Sequence, residues 1–320
     1  MTRLSCAILD DYFDLALSVA DWPLIKDRVD VTVFDKPFAS EANAAARLKD
    51  FEIICAMRER TPFPRTLLDA LPRLKLLITS GMRNAAIDTE AVKDRKVVFC
   101  GTQYSRDPTA ALTMGLILEL TRGIGRENAR IHAGEPWQIF AGTEIEGKTL
   151  GIIGLGKLGS KVAGMAKAFG MNVIAWSPNL TPEKCKEAGV GYASKEQLFA
   201  SADIVTIHVV LSPRSRGLVG AADIARMKPQ AYLVNSARGP IVDEDALLAA
   251  LRDRKIAGAG IDVFSVEPLP SDHPLRKLDN VVITPHLGYA TRESLQTHYQ
   301  QMVACIDAFT RGIEPPRRLA

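Results

Sequence analysis

The sequence predicts an α/β protein of two domains, each built around a parallel sheet. Short runs that are apolar on both faces recur between amphipathic stretches, which is the pattern of buried parallel strands separated by helices. The alternation starts near the N-terminus and starts again after the segment GTEIEGK. A glycine-rich turn follows the first strand of the second series. Two successive β–α series indicate two α/β domains.

The first hundred residues contain the first series. Its candidate strands are LSCAILD, VDVTVFD, FEIICAM, LKLLITSG and KVVFCGT. The segment DPTAALTMGLILELTRGIGREN then predicts a long helix, with Asp107 as the candidate N-cap and Pro108 in the first turn.

The second series has its own strands and helices. The strands are TLGIIG, MNVIAW, ADIVTIHV, QAYLVNSA, IAGAGIDVF and NVVITPH, with helical patterns such as KLGSKVAGMAKAF and DEDALLAALRDR between them. The stretch from about 290 to 311 is a final helix with no strand after it. The pattern alone does not show which domain it packs on.

Composition narrows the class of protein. The net charge is +3 and the cations are dispersed, so we expect no nucleic-acid or membrane partner. The apolar runs are too short to span a bilayer. Acidic residues occur too close to the N-terminus for the apolar core of a signal peptide. The histidines lack metal-ligand spacing, so we expect no metal. The scattered cysteines favour reduced thiols and a cytoplasmic location: Cys6, Cys55, Cys100, Cys185 and Cys305.

The glycine-rich turn has the G-x-G-x-x-G spacing, with Gly154, Gly156 and Gly159 around Lys157 and Leu158. The first glycine allows a tight turn, the second lets a pyrophosphate approach the backbone, and the third lets helix and strand pack closely. The alternative is a glycine-rich turn without a ligand. The strand before it and the helix after it favour a dinucleotide site.

The ribose end of this site lacks its usual acid. An Asp or Glu ordinarily closes the second strand and binds the ribose hydroxyls of NAD. Here Ser177, Pro178 and Asn179 follow the strand, and the nearest cations are Lys184 and Lys186. Ser177 and Asn179 can hydrogen-bond either ribose form, so the choice between NAD and NADP stays open.

Three later strands end in polar residues that their apolar bodies do not require. The carboxyl ends of parallel strands share one edge of a sheet, so these residues converge on the crevice that the dinucleotide enters. In chain order they are Asn235, Ser236 and Arg238, then Asp262 and Glu267, and finally His286.

Three of them form a coherent chemical set. Arg238 offers a bidentate fork for a substrate carboxylate and can polarise the adjacent carbonyl oxygen. His286 can donate or remove a proton near neutral pH, and Glu267 can orient the imidazole and favour its protonated form. With hydride from a nicotinamide, this set describes reduction of a 2-oxo acid to a 2-hydroxy acid.

Each residue also has an ordinary structural interpretation. Arg238 can form a salt bridge at a sheet edge, Glu267 can be an exposed turn residue, and His286 can be a loop histidine. Their joint occurrence after a dinucleotide loop favours function. The other histidines considered are expected to be loop residues: His132, His273 and His298.

In these segments the sequence resembles the D-isomer-specific 2-hydroxyacid dehydrogenase family, which includes phosphoglycerate dehydrogenases and glyoxylate/hydroxypyruvate reductases. The resemblance covers nearly the whole chain. It is carried by GIIGLGKLGSKVA, HVVLSPRSRGLVG, YLVNSARGPIVDEDAL, AGAGIDVFSVEPLP and VVITPHLGYAT. It implies a Rossmann-type doubly wound parallel sheet for the cofactor and a smaller flavodoxin-like α/β domain for the substrate.

The resemblance also implies residue roles. Arg238 would bind the substrate carboxylate, His286 would be the general acid/base, and Glu267 its partner. Asp262 would lie near the nicotinamide amide, and the cofactor would be lined further by Val210, Ser215, Ala237 and Gly288. MRERTPFP and TSGMRNAAID resemble substrate loops, which would bring to the substrate Arg58, Ser80, Gly81 and Met82. The alternative for Arg58 is an exposed surface arginine.

The resemblance implies a discontinuous substrate-binding domain, residues 1–101 and 289–320, and a dinucleotide-binding domain, residues 102–288. Family members place the final helix on the first of these, and closure between the domains would seal the site. A homodimer through the cofactor domain is implied as well, with Trp137 and the helix before it as the contact. Two departures from the family pattern are the missing acid at Ser177 and Ala111, where relatives commonly carry an acid.

The expected function is therefore a cytoplasmic NAD(P)-dependent oxidoreductase for small 2-oxo or 2-hydroxy acids. One alternative is a relative that acts on phosphoglycerate, phosphite or formate, although Glu267 paired with His286 fits hydroxy acids better. Another is a dinucleotide-sensing, corepressor-like protein that binds peptides on the same fold. The particular acid cannot be read from the sequence, because specificity lies in loop side chains around a shared carboxylate anchor.

Overall fold

The computed structural model describes residues 3–104 and 107–320 of the chain. It forms two compact units, one of residues 1–106 with 290–320 and the other of residues 107–289. The predicted start of the first domain, residues 1 and 2, lies outside the described residues.

The first unit is a five-stranded parallel sheet in the order β2-β1-β3-β4-β5. Its strands are β1 (Leu4–Ile8), β2 (Val29–Val33), β3 (Ile53–Ala56), β4 (Leu76–Thr79) and β5 (Val98–Gly101). Its helices are α1 (Glu41–Leu48), α2 (Arg65–Asp69), α3 (Thr89–Asp94) and, from the end of the chain, α11 (Arg292–Thr310). The strand order is that of flavodoxin-like sheets, and β3 and β4 are buried at every position, as their apolar runs predict.

The second unit is a seven-stranded parallel sheet in the order β12-β11-β10-β9-β6-β7-β8. Its strands are β6 (Thr149–Ile153), β7 (Asn172–Trp176), β8 (Gly191–Tyr192), β9 (Ile204–Ile207), β10 (Tyr232–Asn235), β11 (Gly258–Ile261) and β12 (Val281–Ile283). Its helices are α4 (Thr109–Arg122), α5 (Ile124–His132), α6 (Lys157–Ala168), α7 (Pro182–Glu187), α8 (Lys195–Ser201), α9 (Ala221–Ile224) and α10 (Glu244–Arg252). The order reverses between β6 and β9, which is where doubly wound sheets bind dinucleotides.

The two-domain α/β prediction is confirmed, and each candidate strand contains a strand of the structure. One strand of the structure, β8, was not predicted. It is a two-residue strand paired with β7 at the sheet edge, too short to show an apolar period.

The prediction of one long helix after residue 107 is wrong. The helix breaks at Gly123, whose φ of +59° ends α4 and starts α5. A Cβ on Gly123 would lie 2.7 Å from the ring of Phe140, so the break is also where a later segment packs closely. The predicted N-cap is wrong too, because Pro108 takes that position and Asp107 instead pairs with Lys157.

The expectation that His298 lies in a loop is also wrong. It lies within α11 and is fully buried. The same expectation is wrong for His132, which is the last residue of α5. His273 lies outside the α-helices and strands, as N-cap of a 3-10 turn at Pro274–Lys277. A single histidine within a mixed helical pattern carries no signal of its burial.

Among the described residues, no helix has both the length and the apolar character needed to cross a bilayer. The cysteines are all free and buried: Cys6, Cys55, Cys100, Cys185 and Cys305.

Candidate active site

Predicted site residues of the second unit follow the carboxyl ends of its parallel strands, which share one edge of the sheet. Taken strand by strand, they are Gly154, Gly156, Lys157, Leu158 and Gly159 after β6; Ser177 after β7; Val210 and Ser215 after β9; Ala237 and Arg238 after β10; Asp262 and Glu267 after β11; and His286 and Gly288 after β12.

The turn between β6 and α6 has the shape that its glycines predict. Gly154 has a φ of +99°, a region that L side chains rarely adopt. A Cβ on Gly159 would overlap the carbonyl oxygen of Gly154, so helix and strand pack too closely for a side chain. A Cβ on Gly156 would meet no described atom within 4 Å, so this glycine leaves open backbone. The turn fits a dinucleotide whose pyrophosphate approaches Gly156 and the N-terminus of α6.

The first residues of α6 are anchored on both sides. Nζ of Lys157 lies 3.0 Å from Oδ2 of Asp107, just before α4. Leu158 packs against an apolar cluster that includes Ala110 and Ile152. The Lys157 side chain is 78% exposed, so this ion pair adds little stability and the ammonium can be reached by a phosphate.

The ribose end of the site is a turn directly after β7. Ser177 is half-buried and its carbonyl accepts a hydrogen bond from the N–H of Leu180. Asn179 within this turn is exposed. The turn presents a hydroxyl and an amide at the position where NAD-specific sites carry an acid.

Ser215 braces the loop after β9. Its hydroxyl donates to the carbonyl of Val210 at 2.7 Å and accepts the N–H of Ser212 at 2.7 Å. The hydroxyl is therefore committed to the loop, while the Val210 side chain is 75% exposed. Of the two, Val210 is the residue that the loop presents outward.

The Arg238 turn is held by Asn235, which is almost fully buried. The Asn235 side chain accepts the N–H of Ala237 at 3.0 Å and donates to the carbonyl of Arg238 at 3.0 Å. Next to it, the hydroxyls of Ser236 and Thr113 lie 2.8 Å apart. Arg238 is half-buried, and Nη1 donates to the carbonyl of Ala237 at 2.7 Å.

Asp262 organises the loop that carries His286. It is fully buried and accepts hydrogen bonds from the Thr284 hydroxyl at 2.6 Å and from the N–H groups of Leu287 and Gly288 at 2.7 and 2.9 Å. Burial raises the pKa of its carboxyl, and these hydrogen bonds oppose the rise. Both carboxylate oxygens therefore hold the segment on either side of His286.

Glu267 and His286 are brought into direct contact. Oε2 of Glu267 lies 2.6 Å from Nδ1 of His286, and Oε1 accepts the N–H of Phe264 at 2.8 Å. His286 has a φ of +54°, an unusual value for a side-chain-bearing residue, and its ring meets the edge of Tyr289 at 5.9 Å between centroids. Unusual backbone geometry of this kind is concentrated at functional sites.

The charges around Glu267 keep it ionised. Burial raises the pKa of this carboxyl, but the hydrogen bond and charge of His286, the Phe264 N–H and the charge of Arg238 together bring it below its usual range. Arg238 is thus close enough to act on Glu267 electrostatically. The site combines a fixed guanidinium, an ionised carboxylate and an oriented imidazole.

The predicted substrate loops of the first unit are also ordered. The backbone N–H of Arg58 donates to the Ser80 hydroxyl at 2.7 Å, and Nη1 of Arg58 donates to the Ser80 carbonyl at 3.2 Å. The N–H of Gly81 is used by the hydroxyl of Thr102 at 3.0 Å. Met82 is 36% exposed. Arg58 is half-buried and held by its neighbours, which differs from an ordinary surface arginine.

Sequence reasoning missed the supporting roles of Thr113, Asn235 and Thr284. A signal was present for Asn235 and Thr284, since each ends a strand where an apolar residue would continue it. Thr113 gave none, because it lies within the apolar pattern of α4. Within residues 3–104 and 107–320, no group of three or more potential ligands is placed to hold a metal ion.

A model of the NAD-binding domain of D-isomer specific 2-hydroxyacid dehydrogenases matches residues 114–288. This range contains β6 to β12 and every predicted site residue of the second unit.

Individual proteins are similar over most of the chain. The D-3-phosphoglycerate dehydrogenase of Methanocaldococcus jannaschii is 40% identical over 252 residues, which are 78% of this chain and 48% of that protein. The chain thus spans about half the length of that relative. A phosphoglycerate oxidoreductase from Vibrio cholerae O395 has a TM-score of 0.92 at 33% identity, covering 97% of this chain and 100% of that one. A glyoxylate reductase from Paecilomyes thermophila has a TM-score of 0.75 at 27% identity, covering 100% and 99%.

Proposed function

Because the chain belongs to the D-isomer-specific 2-hydroxyacid dehydrogenase family, we propose that it interconverts a small 2-oxo acid, of the glyoxylate or hydroxypyruvate kind, with the D-2-hydroxy acid. Family membership makes it an oxidoreductase that acts on CH–OH donors with NAD or NADP. The identity of the acid is a further proposal, because family membership does not specify it. It is supported by the similarity to a glyoxylate reductase and by the charge of Arg238, which acts on the Glu267 carboxylate that contacts His286.

The observation that carries the proposal is the 2.6 Å contact between Glu267 and Nδ1 of His286. Nδ1 is engaged by the carboxylate, so Nε2 is the nitrogen that exchanges a proton with the substrate oxygen. Reduction requires a proton donor at the substrate oxygen, and Nε2–H of His286 is the group proposed for this role.

In the reductive direction, the Arg238 guanidinium binds the substrate carboxylate and polarises the 2-oxo group. The glycine turn would hold the nicotinamide dinucleotide, which would supply the hydride when bound. His286 donates its Nε2 proton to the carbonyl oxygen, and Glu267 holds the ring in place during the transfer. In the oxidative direction, His286 takes the hydroxyl proton through the same nitrogen.

The first unit is proposed to supply Arg58 and Met82 to the substrate, with Ser80 and Gly81 holding the Arg58 loop. The support is that Ser80 makes two hydrogen bonds to Arg58, while the N–H of Gly81 is already used by Thr102. The role of residues 1–101 and 289–320 as the substrate-binding domain is part of the same proposal.

A homodimer through the cofactor-binding unit is proposed as well. Helix α5 has no buried residue, and it and the following segment expose Ile124, Ile131, Trp137 and Ile139. Exposed apolar groups of this size mark interaction surfaces. Light scattering is expected to give the mass of a dimer, and Trp137→Ser is expected to shift it toward the monomer. We also propose a cytoplasmic location, which the free thiols support.

The proposal is tested by following the absorbance of NADH and of NADPH with glyoxylate, hydroxypyruvate, pyruvate and bulkier 2-oxo acids. Turnover with a small acid and a D-configured product are expected. His286→Ala is expected to abolish turnover while the dissociation constant for the dinucleotide stays nearly unchanged. Dinucleotide binding without turnover on the whole panel would favour the sensor alternative.

A further inference from the structure

His298 is the feature of the first unit that the proposed function leaves unexplained. Its ring is fully buried in α11, and Nδ1 lies 2.6 Å from Oγ1 of Thr102, directly after β5. Burying an imidazole is less favourable than burying an apolar side chain of similar size. Packing alone therefore does not account for a histidine at this position.

Thr102 connects His298 to the loop after β4. Its Oγ1 accepts the N–H of Gly81 at 3.0 Å and donates to the carbonyl of Thr79 at 3.3 Å. With the hydroxyl hydrogen directed at Thr79, Nδ1–H of His298 donates to the same oxygen and the hydroxyl is fully satisfied. His298 thus holds the group that fixes Gly81.

Gly81 in turn supports Arg58. Its φ is +97°, and a Cβ there would overlap Nη1 of Arg58, so the guanidinium rests on the bare glycine backbone. The Arg58 carbonyl accepts a hydrogen bond from Asn84 at 2.6 Å, which fixes the same loop from the other side. A shift of Gly81 would therefore displace the Arg58 head group.

A second connection runs through Tyr104. Its ring meets the His298 ring edge-on, with centroids 4.6 Å apart, and the guanidinium carbon of Arg58 lies 5.8 Å from the Tyr104 centroid. Burial, with the Arg58 charge, lowers the pKa of His298 to about 4. The ring is therefore neutral at neutral pH and adds no positive charge next to Arg58.

We propose that His298 is a positioning residue for substrate binding, which sets the place of the Arg58 guanidinium through Thr102 and Tyr104. This rests on the substrate role proposed for Arg58. His298 does not contact the reacting atoms, so its removal raises KM for the 2-oxo acid more than it lowers kcat. Dinucleotide affinity, a property of the other unit, is unaffected.

Two isosteric variants test the contact. In His298→Asn the amide occupies the place of Nδ1 and can still bond Thr102, whereas in His298→Gln it occupies the place of Nε2. We expect KM to rise about tenfold in His298→Gln, or about 1.4 kcal/mol, the size of one neutral hydrogen bond. His298→Asn is expected to retain most of the substrate affinity.

The partner residue gives an independent test. Thr102→Val removes the hydroxyl and is expected to raise KM at least as much as His298→Gln does, because the bonds to Gly81 and Thr79 are lost as well. Thr102→Ser keeps the hydroxyl and is expected to retain most of the substrate affinity. The double variant His298→Gln, Thr102→Val should be no worse than Thr102→Val alone, because removing the hydroxyl already removes the contact with His298. Circular dichroism at each step confirms that the variants are folded.

Arg58→Gln tests the substrate role of Arg58 separately from the positioning role of His298. Unchanged KM in Arg58→Gln would remove the substrate role of Arg58, and the role of His298 would fall with it. A raised KM in Arg58→Gln with unchanged KM in His298→Gln and Thr102→Val would overturn the His298 proposal alone. An equal loss in His298→Asn and His298→Gln would likewise overturn it, because packing rather than the Nδ1 contact would then explain the residue.

Discussion

Both oxygens of the Glu267 carboxylate are engaged, one by the His286 ring and the other by the Phe264 amide. The carboxylate cannot rotate without losing one of these bonds. The orientation of His286 is therefore set by a residue that is itself fixed to the backbone, which limits the entropy lost when substrate binds.

Glu267→Gln removes the negative charge and keeps the shape. An amide orients the imidazole less firmly than an ionised carboxylate does, because it makes no charge-assisted hydrogen bond to Nδ1. We expect kcat at neutral pH to fall by about 10- to 100-fold, within the range of general acid–base effects. Steady-state kinetics at neutral pH measure this fall, and an unchanged kcat would contradict the pairing.

Arg238→Lys keeps the charge and loses the bidentate fork. The expected result is a fall in kcat/KM for a 2-oxo acid on the order of 100-fold, since a lysine cannot make two parallel bonds to the carboxylate. Steady-state kinetics measure it. Arg226→Lys is the matched control, because Arg226 is exposed just after α9 and donates to the carbonyl of Ala222 in that helix. Equal effects of the two changes would place Arg238 outside the site.

Ser177→Asp adds the acid that NAD-specific sites carry after the second strand. The new carboxylate would repel a 2′-phosphate and bind the ribose hydroxyls, so the ratio of kcat/KM for NADH over NADPH is expected to rise about tenfold or more. Asn172→Asp adds the same charge at the opposite end of β7 and serves as the control. A ratio that moves equally in both variants would place the ribose elsewhere.

At the scale of elements, the packing of β6 against α6 requires glycine at position 159 but not at position 164. Gly159 faces the carbonyl of Gly154 with no room for a Cβ, whereas a Cβ on Gly164, in the same helix, would meet no described atom within 4 Å. The two glycines have the same helical backbone but opposite steric surroundings.

Comparing Gly159→Ala with Gly164→Ala distinguishes the effect of close packing from the effect of helix propensity. Gly164→Ala is expected to raise the free energy of unfolding by up to about 1 kcal/mol, the helix propensity difference. Gly159→Ala is expected to lower it by about 1–3 kcal/mol through overpacking and to weaken dinucleotide binding. Urea unfolding and fluorescence titration measure these effects. A stable Gly159→Ala protein with full dinucleotide affinity would contradict the assigned packing role.

At the scale of the whole molecule, each unit contains a histidine that resists protonation: the fully buried His298 in the first unit and the half-buried His208 in the second. Burial lowers the pKa of His208 in the second unit and of His298 in the first, each to about 4 from an ordinary value of 6.5. Between these values the unfolded chain binds a proton that the folded chain does not. Stability is therefore full above about 6.5 and is lost as the pH falls toward 4.

Urea unfolding at pH 7 and pH 5 is expected to show this loss in both units. For the fully buried His298 the expected loss is about 2 kcal/mol between pH 7 and pH 5. His298→Asn is expected to flatten the pH dependence of the first unit, and His208→Gln that of the second. His132→Gln, at the exposed end of α5, is the control and should leave both slopes as they are.

The sequence by itself determined the features that depend on near neighbours. Burial of a strand depends on its own apolar run, and the glycine turn depends on three positions within six residues. Residue type determined the available chemistry, since Arg238, Glu267 and His286 each suit one step of a hydride transfer. Gly123 shows where local sequence is not enough to predict a helix end. A glycine can occur inside a helix, and only the structure shows that Gly123 has a positive φ and packs against the ring of Phe140.

Only the tertiary structure decided which of these groups meet. Glu267 and His286 are 19 residues apart, Thr102 and His298 are 196 apart, and both pairs lie 2.6 Å apart in space. Asp107 meets Lys157 rather than capping its helix, and His298 is buried in α11 rather than lying in a loop. Such contacts depend on strand order and on where the last helix packs. These are set by the summed burial of many side chains rather than by any short segment.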